Sequence, residues 1–240
     1  MQSFDPFEMW NNMGFLARLV VVFLGGMSVY SLWVMIDRYI IFSRAKRYSM
    51  VFVRALQDAL GAKDLNGALK LSRAEPQTPV GRVVGAALTE YRDALDAIAK
   101  TGPDEIGDFD VVDAVNRAID RVKEREVSNL KKGLGALASI SSAAPFIGLF
   151  GTVVGIINAF RSMASSGQGG LGAVSAGISE ALFTTAVGLL VAIPAVMTFN
   201  FFTNRIEEFI VDMNDVGSEL ISFVLREGRD ASTKDAGKKR

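Results

Sequence analysis

Residues 177–196, "GISEALFTTAVGLLVAIPAV", place one carboxylate, Glu180, and two adjacent threonines, Thr184 and Thr185, in an otherwise apolar run. Twenty residues at about 1.5 Å per residue cover the roughly 30 Å of bilayer hydrocarbon, so the run reads as a membrane helix. An acid at the bilayer centre costs roughly 2.5–3.5 kcal/mol on insertion scales, and Glu180 needs a reason to be there. Gly177, Glu180, Thr184 and Gly188 recur at three- and four-residue steps and share one helical face, with Thr185 one residue round from it. Two placements stay open for the acid: a seam facing other helices, or the outer interface, because residues 181–202 alone are long enough to cross.

The rest of the 240-residue chain has the same character in two further apolar blocks, which points to a membrane protein with a polar insert. No cysteine and no histidine occur, which excludes disulfides, thiolate chemistry and histidine metal sites. A proton carrier must then be a carboxylate, water or a partner's group. The formal charge of +0 leaves no bulk attraction for nucleic acid. "MQSFDPFEMW" at the start lacks the basic region of a secretory signal. "SSGQGGLGAV" (165–174) has no phosphate-loop lysine, and its glycines read as a loop turn. With no nucleophile, metal or nucleotide constellation in view, the chain is expected to be no enzyme, with no catalytic residue, cofactor or metal.

Basic flanks orient the three spans. Arg38, Arg44, Lys46 and Arg47 follow the first; Arg117, Arg121, Lys123, Arg125, Lys131 and Lys132 precede the second; Arg205 follows the third, and only Arg18 and Arg161 lie on the opposite flanks. By the positive-inside rule this predicts an N-terminus outside at 1–14 and a first transmembrane helix at 15–36. A cytoplasmic helical insert at 37–132, a second span at 133–160 and an outer loop at 161–170 follow. The third span covers 171–202, and a cytoplasmic helical tail 203–240. The fold class is an all-α integral membrane protein with three transmembrane helices and long cytoplasmic helical extensions.

In the insert, "DLNGALKLSRAE" (64–75) predicts a short helix with Asp64 at its start and Pro76 past its end, and Pro79 opens another. "TGPDEIGD" (101–108) reads as a turn. Val112, Val115, Ile119, Val122 and Leu130 then fall near one face of a helix predicted to run unbroken into the second span. Ile206, Phe209, Ile210, Met213, Val216, Leu220 and Phe223 form a stripe continuing the third span. Such a stripe packs against the chain's own insert or against another subunit.

In "APFIGLFGTVVGIINAF" (144–160), Gly148, Gly151 and Gly155 with Thr152 make overlapping small-xxx-small steps, a helix-contact surface. Thr152 lies twenty residues from Lys132, and Thr185 twenty from Arg205. Each is therefore about 30 Å from its inner basic flank, and the two come out at one level. A threonine in a membrane helix can also simply bond its own i−4 carbonyl, and Pro145 and Pro194 can be tolerated kinks.

"APFIGLFGTVVGI" followed by "GISEALFTTAVGLLVAIPAV" resembles the MotA/TolQ/ExbB family of ion-driven inner-membrane motors, in its three-span TolQ/ExbB branch. The family pattern is close to GLFGTVWGI and GIAEALxATAxGLxxAIPAV, and the likeness is dense over 144–200. Val154 stands where the family usually has tryptophan, and Thr184 where it usually has alanine. The resemblance implies a homopentameric ring in the bacterial inner membrane, enclosing helices of an ExbD/TolR-like single-span partner whose membrane aspartate is protonated and released. It implies that Thr152 and Thr185 face that aspartate and that Glu180 belongs to the same lumen, with Thr184 adding a hydroxyl. A TonB- or TolA-like protein would lie further along the chain of work. The expected function is a subunit conducting ions, protons by the family branch, to power import, envelope maintenance or gliding. The alternative is a non-conducting scaffold. A secondary transporter is disfavoured by three spans without an internal repeat.

Overall fold

The computed structural model describes residues 10, 13–62, 64–74, 78–101, 111–166 and 171–238. Most of the N-terminal segment 1–14, Pro76, most of the turn at 101–108 and the centre of the Gly-rich loop therefore lie outside the described residues. Those described are helical almost throughout: α1 (Phe15–Gly61), α2 (Leu65–Ala74), α3 (Pro79–Thr101), α4 (Val111–Leu130), α5 (Leu134–Ser166) and α6 (Leu171–Lys238). Three of these, α1, α5 and α6, are long and apolar enough to cross a membrane. The chain divides into two units, one of 1–38 with 133–203, the other of 39–132 with 204–240.

In the first unit most large apolar side chains point outward. Phe146, Leu149, Phe150, Leu182, Leu190 and Ile193 are exposed, while Ala144, Ala181 and Ala195 are fully buried. That inversion, small residues inside and large ones outside, is what helices solvated by lipid require. Pro145 and Pro194 both sit inside their helices.

The second unit is packed like a water-soluble bundle. Phe52 and Leu56 of α1, Leu69 of α2, Val83, Val84 and Tyr91 of α3, Val115 and Ile119 of α4, and Met213, Leu220 and Phe223 of α6 share one core. The tail stripe thus packs against the chain's own insert. Local signals explain the short elements. Asp64 Oδ1 accepts the Gly67 amide at 2.8 Å and starts α2, and Thr78 Oγ1 accepts the Gly81 amide at 3.0 Å ahead of Pro79 at the start of α3. Glu126 is 4 % exposed, held by Arg82 at 3.2 Å.

One expectation is corrected. The helix of the insert does not run unbroken into the second span. α4 ends at Leu130, residues 131–133 form a turn, and α5 starts at Leu134. Gly133 has φ 79°, a left-handed conformation open to glycine at little cost. A Cβ there would also meet Val34 Cγ1 at 3.0 Å. No proline announces this stop, and hydrophobic periodicity on either side passes over it.

Candidate functional site

The polar seam lies within the first unit, where α5 and α6 meet backbone to backbone. A Cβ on Gly148 would stand 2.8 Å from the Thr184 carbonyl oxygen, and one on Gly188 would stand 2.6 Å from the Ala144 carbonyl oxygen. At Gly155 it would meet Ala181 Cβ at 2.8 Å, and at Gly177 Ala159 Cβ at 2.6 Å. All four positions need hydrogen in place of a side chain, because the opposing atoms cannot move without parting the helices.

The close approach sorts the three threonines. Thr184 is fully buried. Its Oγ1 donates towards the Ala181 carbonyl at 2.7 Å and the Gly148 carbonyl on the facing helix at 3.1 Å. Against Gly151 this hydroxyl leaves no room, since a Cβ there would lie 2.5 Å from it. Thr184 therefore works as an interhelical clasp.

Thr152 and Thr185 lie one residue round from Gly151 and Thr184, and their hydroxyl oxygens are 2.7 Å apart. Thr152 is 6 % exposed, and its Oγ1 also has the Leu149 carbonyl within 2.9 Å and the Gly148 carbonyl within 3.2 Å. Thr185 is half-buried. The local i−4 bond and the cross-helix bond thus coexist at Thr152.

Glu180 stands apart from this pair. Its Oε1 accepts the Gly14 amide at 2.6 Å, and the Gly14 carbonyl accepts the Arg18 amide at 3.1 Å as α1 begins. The carboxylate thus sits at the N-terminus of the first membrane helix, where the helix dipole favours negative charge. Sequence reading had no access to this contact, since nothing in the pattern links position 14 to position 180. Among the described residues no cluster of carboxylates has metal-binding geometry.

Residues 90–215 match the sequence profile of the MotA/TolQ/ExbB proton channel family. A Tol-Pal system protein TolQ from Pseudomonas aeruginosa is 34% identical over 210 residues, 86% of this chain and 87% of that protein. The chain belongs to the MotA/TolQ/ExbB family. Its TolQ/ExbB character extends over most of its length. The biopolymer transport protein ExbB of Pseudomonas putida is 31% identical over 223 residues, 93% of this chain but 64% of the longer relative. A TolQ from Haemophilus influenzae is 30% identical over 213 residues, 88% of this chain and 89% of its own. With three apolar helices, this member of the family is a multi-pass membrane protein of the ExbB/TolQ type.

Proposed function

We propose that the chain is the ion-conducting ring subunit of an inner-membrane motor, which couples the proton-motive force to mechanical work through an ExbD/TolR-like single-span partner. In this reading five copies surround the partner's helices, the N-terminus is periplasmic, and segment 37–132 and the tail are cytoplasmic. One observation carries it: the Thr152–Thr185 hydroxyl pair at 2.7 Å, contributed by two different membrane helices. A partner's membrane carboxyl beside the pair would find hydroxyls able to accept from its protonated form or donate to its ionised form. Each charge moved across 100 mV releases about 2.3 kcal/mol, enough to bias a rotation or rocking of inner helices against the ring. Glu180 and Thr184 serve this path through the helices they hold. A TonB- or TolA-like protein would take up the work, in import, envelope maintenance or gliding.

The test is a Thr152→Val, Thr185→Val double variant co-expressed with the cognate partner. Proton flux in reconstituted vesicles should fall at least tenfold, while co-purification of ring and partner persists. Full flux in that variant overturns the reading. A non-conducting scaffold is the second reading. It is favoured by the hydroxyl of Thr184 and the carboxylate of Glu180, both already engaged in holding helices. Proton flux of the unmodified complex no higher than that of lipid alone, with assembly lost in Thr184→Ala, would point to it.

A further inference from the structure

In the second unit, α1 and α6 enclose a groove of about 700 Å³. Its acidic wall is one face of α6, with Glu208, Asp212, Asp215 and Glu219; Lys46 and Arg54 of α1 stand opposite. Glu208 is engaged by Arg205 at 2.6 Å and by Lys46 at 3.6 Å, and Glu219 accepts from Gln57 Nε2 at 3.5 Å. Among the described residues Asp212 and Asp215 have neither hydrogen bond nor ion pair, and both are exposed. Ser49 also lines the groove, is 4 % exposed, and its Oγ has no hydrogen-bond partner. A buried hydroxyl left empty costs about 1–3 kcal/mol, so a polar group arriving here would meet an unfilled demand. Partial burial first, then the neighbouring charges of Asp215 and Glu208, hold the Asp212 carboxyl above its ordinary range, with Lys46 offsetting them only in part.

The same unit carries the complement on a different surface. Arg121 and Arg125 are exposed, four residues apart on α4, and have no ion pair among the described residues. Their neighbours Arg117 and Lys123 are already tied to Asp113 and Asp120. On a helix, residues three or four apart have Cβ atoms about 5–6 Å from each other, so the two arginines match the spacing of Asp212 and Asp215. Met50 and Val211 at the groove are 58% and 55% exposed, apolar surface that the stems of arginine can cover.

We propose that the α1–α6 groove receives Arg121 and Arg125 from α4 of a second copy of this chain, making a head-to-tail contact between neighbouring subunits. Two unlike surfaces meet, so the contact is heterologous, the kind of contact that builds a ring when its rotation closes. A two-fold groove-on-groove contact would press carboxylates together. The inference rests on the ring reading above and supplies its subunit contact outside the membrane helices.

The chain has no cysteine, so engineered cysteines report cleanly. Full-length Asp215→Cys and Arg125→Cys chains, co-expressed with the partner in membranes and mildly oxidised, should give a covalent dimer only when both are present. Native mass measurement of the unmodified complex runs alongside. A ring that forms while the mixed cysteines stay unlinked overturns the contact and leaves the ring reading standing; no ring at all overturns both. Cross-linking by Asp215→Cys alone also overturns it. In a second arm, Asp212→Arg with Asp215→Arg should lower assembly at least tenfold, and adding Arg121→Glu and Arg125→Glu should restore it. Unchanged assembly in the first variant, or loss without recovery in the second, counts against the pairing.

Discussion

The proton of Thr152 and the proton of Thr185 are not equivalent. Thr152 Oγ1 has a backbone acceptor at 2.9 Å in the Leu149 carbonyl, whereas the acceptor seen for Thr185 is Thr152 itself, at 2.7 Å. The arrangement that satisfies most groups runs from Thr185 to Thr152 to the backbone. Thr185 then presents lone pairs outward. A protonated carboxyl can donate to them directly; an ionised one must first draw the Thr185 proton away from Thr152.

This asymmetry separates two substitutions. Thr185→Val should abolish proton flux, whereas Thr152→Val frees the Thr185 hydroxyl and should retain part of it. The double variant should match Thr185→Val, since both residues act on one carboxyl. Thr185→Ser should keep most flux. Vesicle flux measurements decide, and equal losses in the two single variants would refute the ordering.

At the glycine contact, Gly188→Ala should destabilise the fold by about 2 kcal/mol, the scale of overpacking against atoms that cannot yield. The added Cβ faces the Ala144 carbonyl at 2.6 Å. Thr184→Ala should cost less, on the order of 1 kcal/mol for its lost hydrogen bond. Denaturation in detergent ranks the two, and a milder effect for Gly188→Ala would contradict the backbone contact.

Glu180→Gln keeps an oxygen for the Gly14 amide, and Glu180→Ala does not. Hydrogen exchange over residues 14–18 should quicken in the alanine variant only, because the carboxylate stands at the start of α1. Identical exchange in both variants would remove Glu180 from that role.

Asp212 titrates against the folded state. Its carboxyl is raised by burial first, then by Asp215 and Glu208. Its contribution to stability is therefore complete below the unfolded value and lost as pH rises through the folded one. Asp212→Asn should raise the Tm of the dissociated chain near pH 7, with the gain vanishing at acid pH. A Tm difference independent of pH would show that the charge is not the cause. Glu208 runs the opposite way: its hydrogen bond from Arg205 lowers its pKa, so its contribution is present above the unfolded value and fades as pH falls through the folded one.

Much of this architecture is legible in the chain. Apolar length reveals three membrane helices, and the stripe from Ile206 to Phe223 foretells a packed tail. Equal spacing from Lys132 and Arg205 puts Thr152 and Thr185 at one level, and their hydroxyls meet. Periodicity records which face of a helix is special, but not which helix answers it. It groups Thr184 with Glu180, although one clasps α5 and the other meets α1. The break at Gly133 is equally silent, because a left-handed residue needs one glycine and no change of pattern.

The glycine-lined closure of α5 on α6 also bears on biogenesis. A lone α6 in lipid would expose the Thr185 hydroxyl, the Glu180 carboxylate and backbone bared by Gly177 and Gly188. Paired with α5 it covers that backbone and joins Thr184 and Thr185 to facing oxygens. Release from the insertion machinery as a helical hairpin is therefore cheaper than release one span at a time. Stalled nascent chains can test this: α5 should stay beside the translocon, within cross-linking reach, until α6 has emerged. Early escape of α5 into lipid would show that the two helices find each other only later.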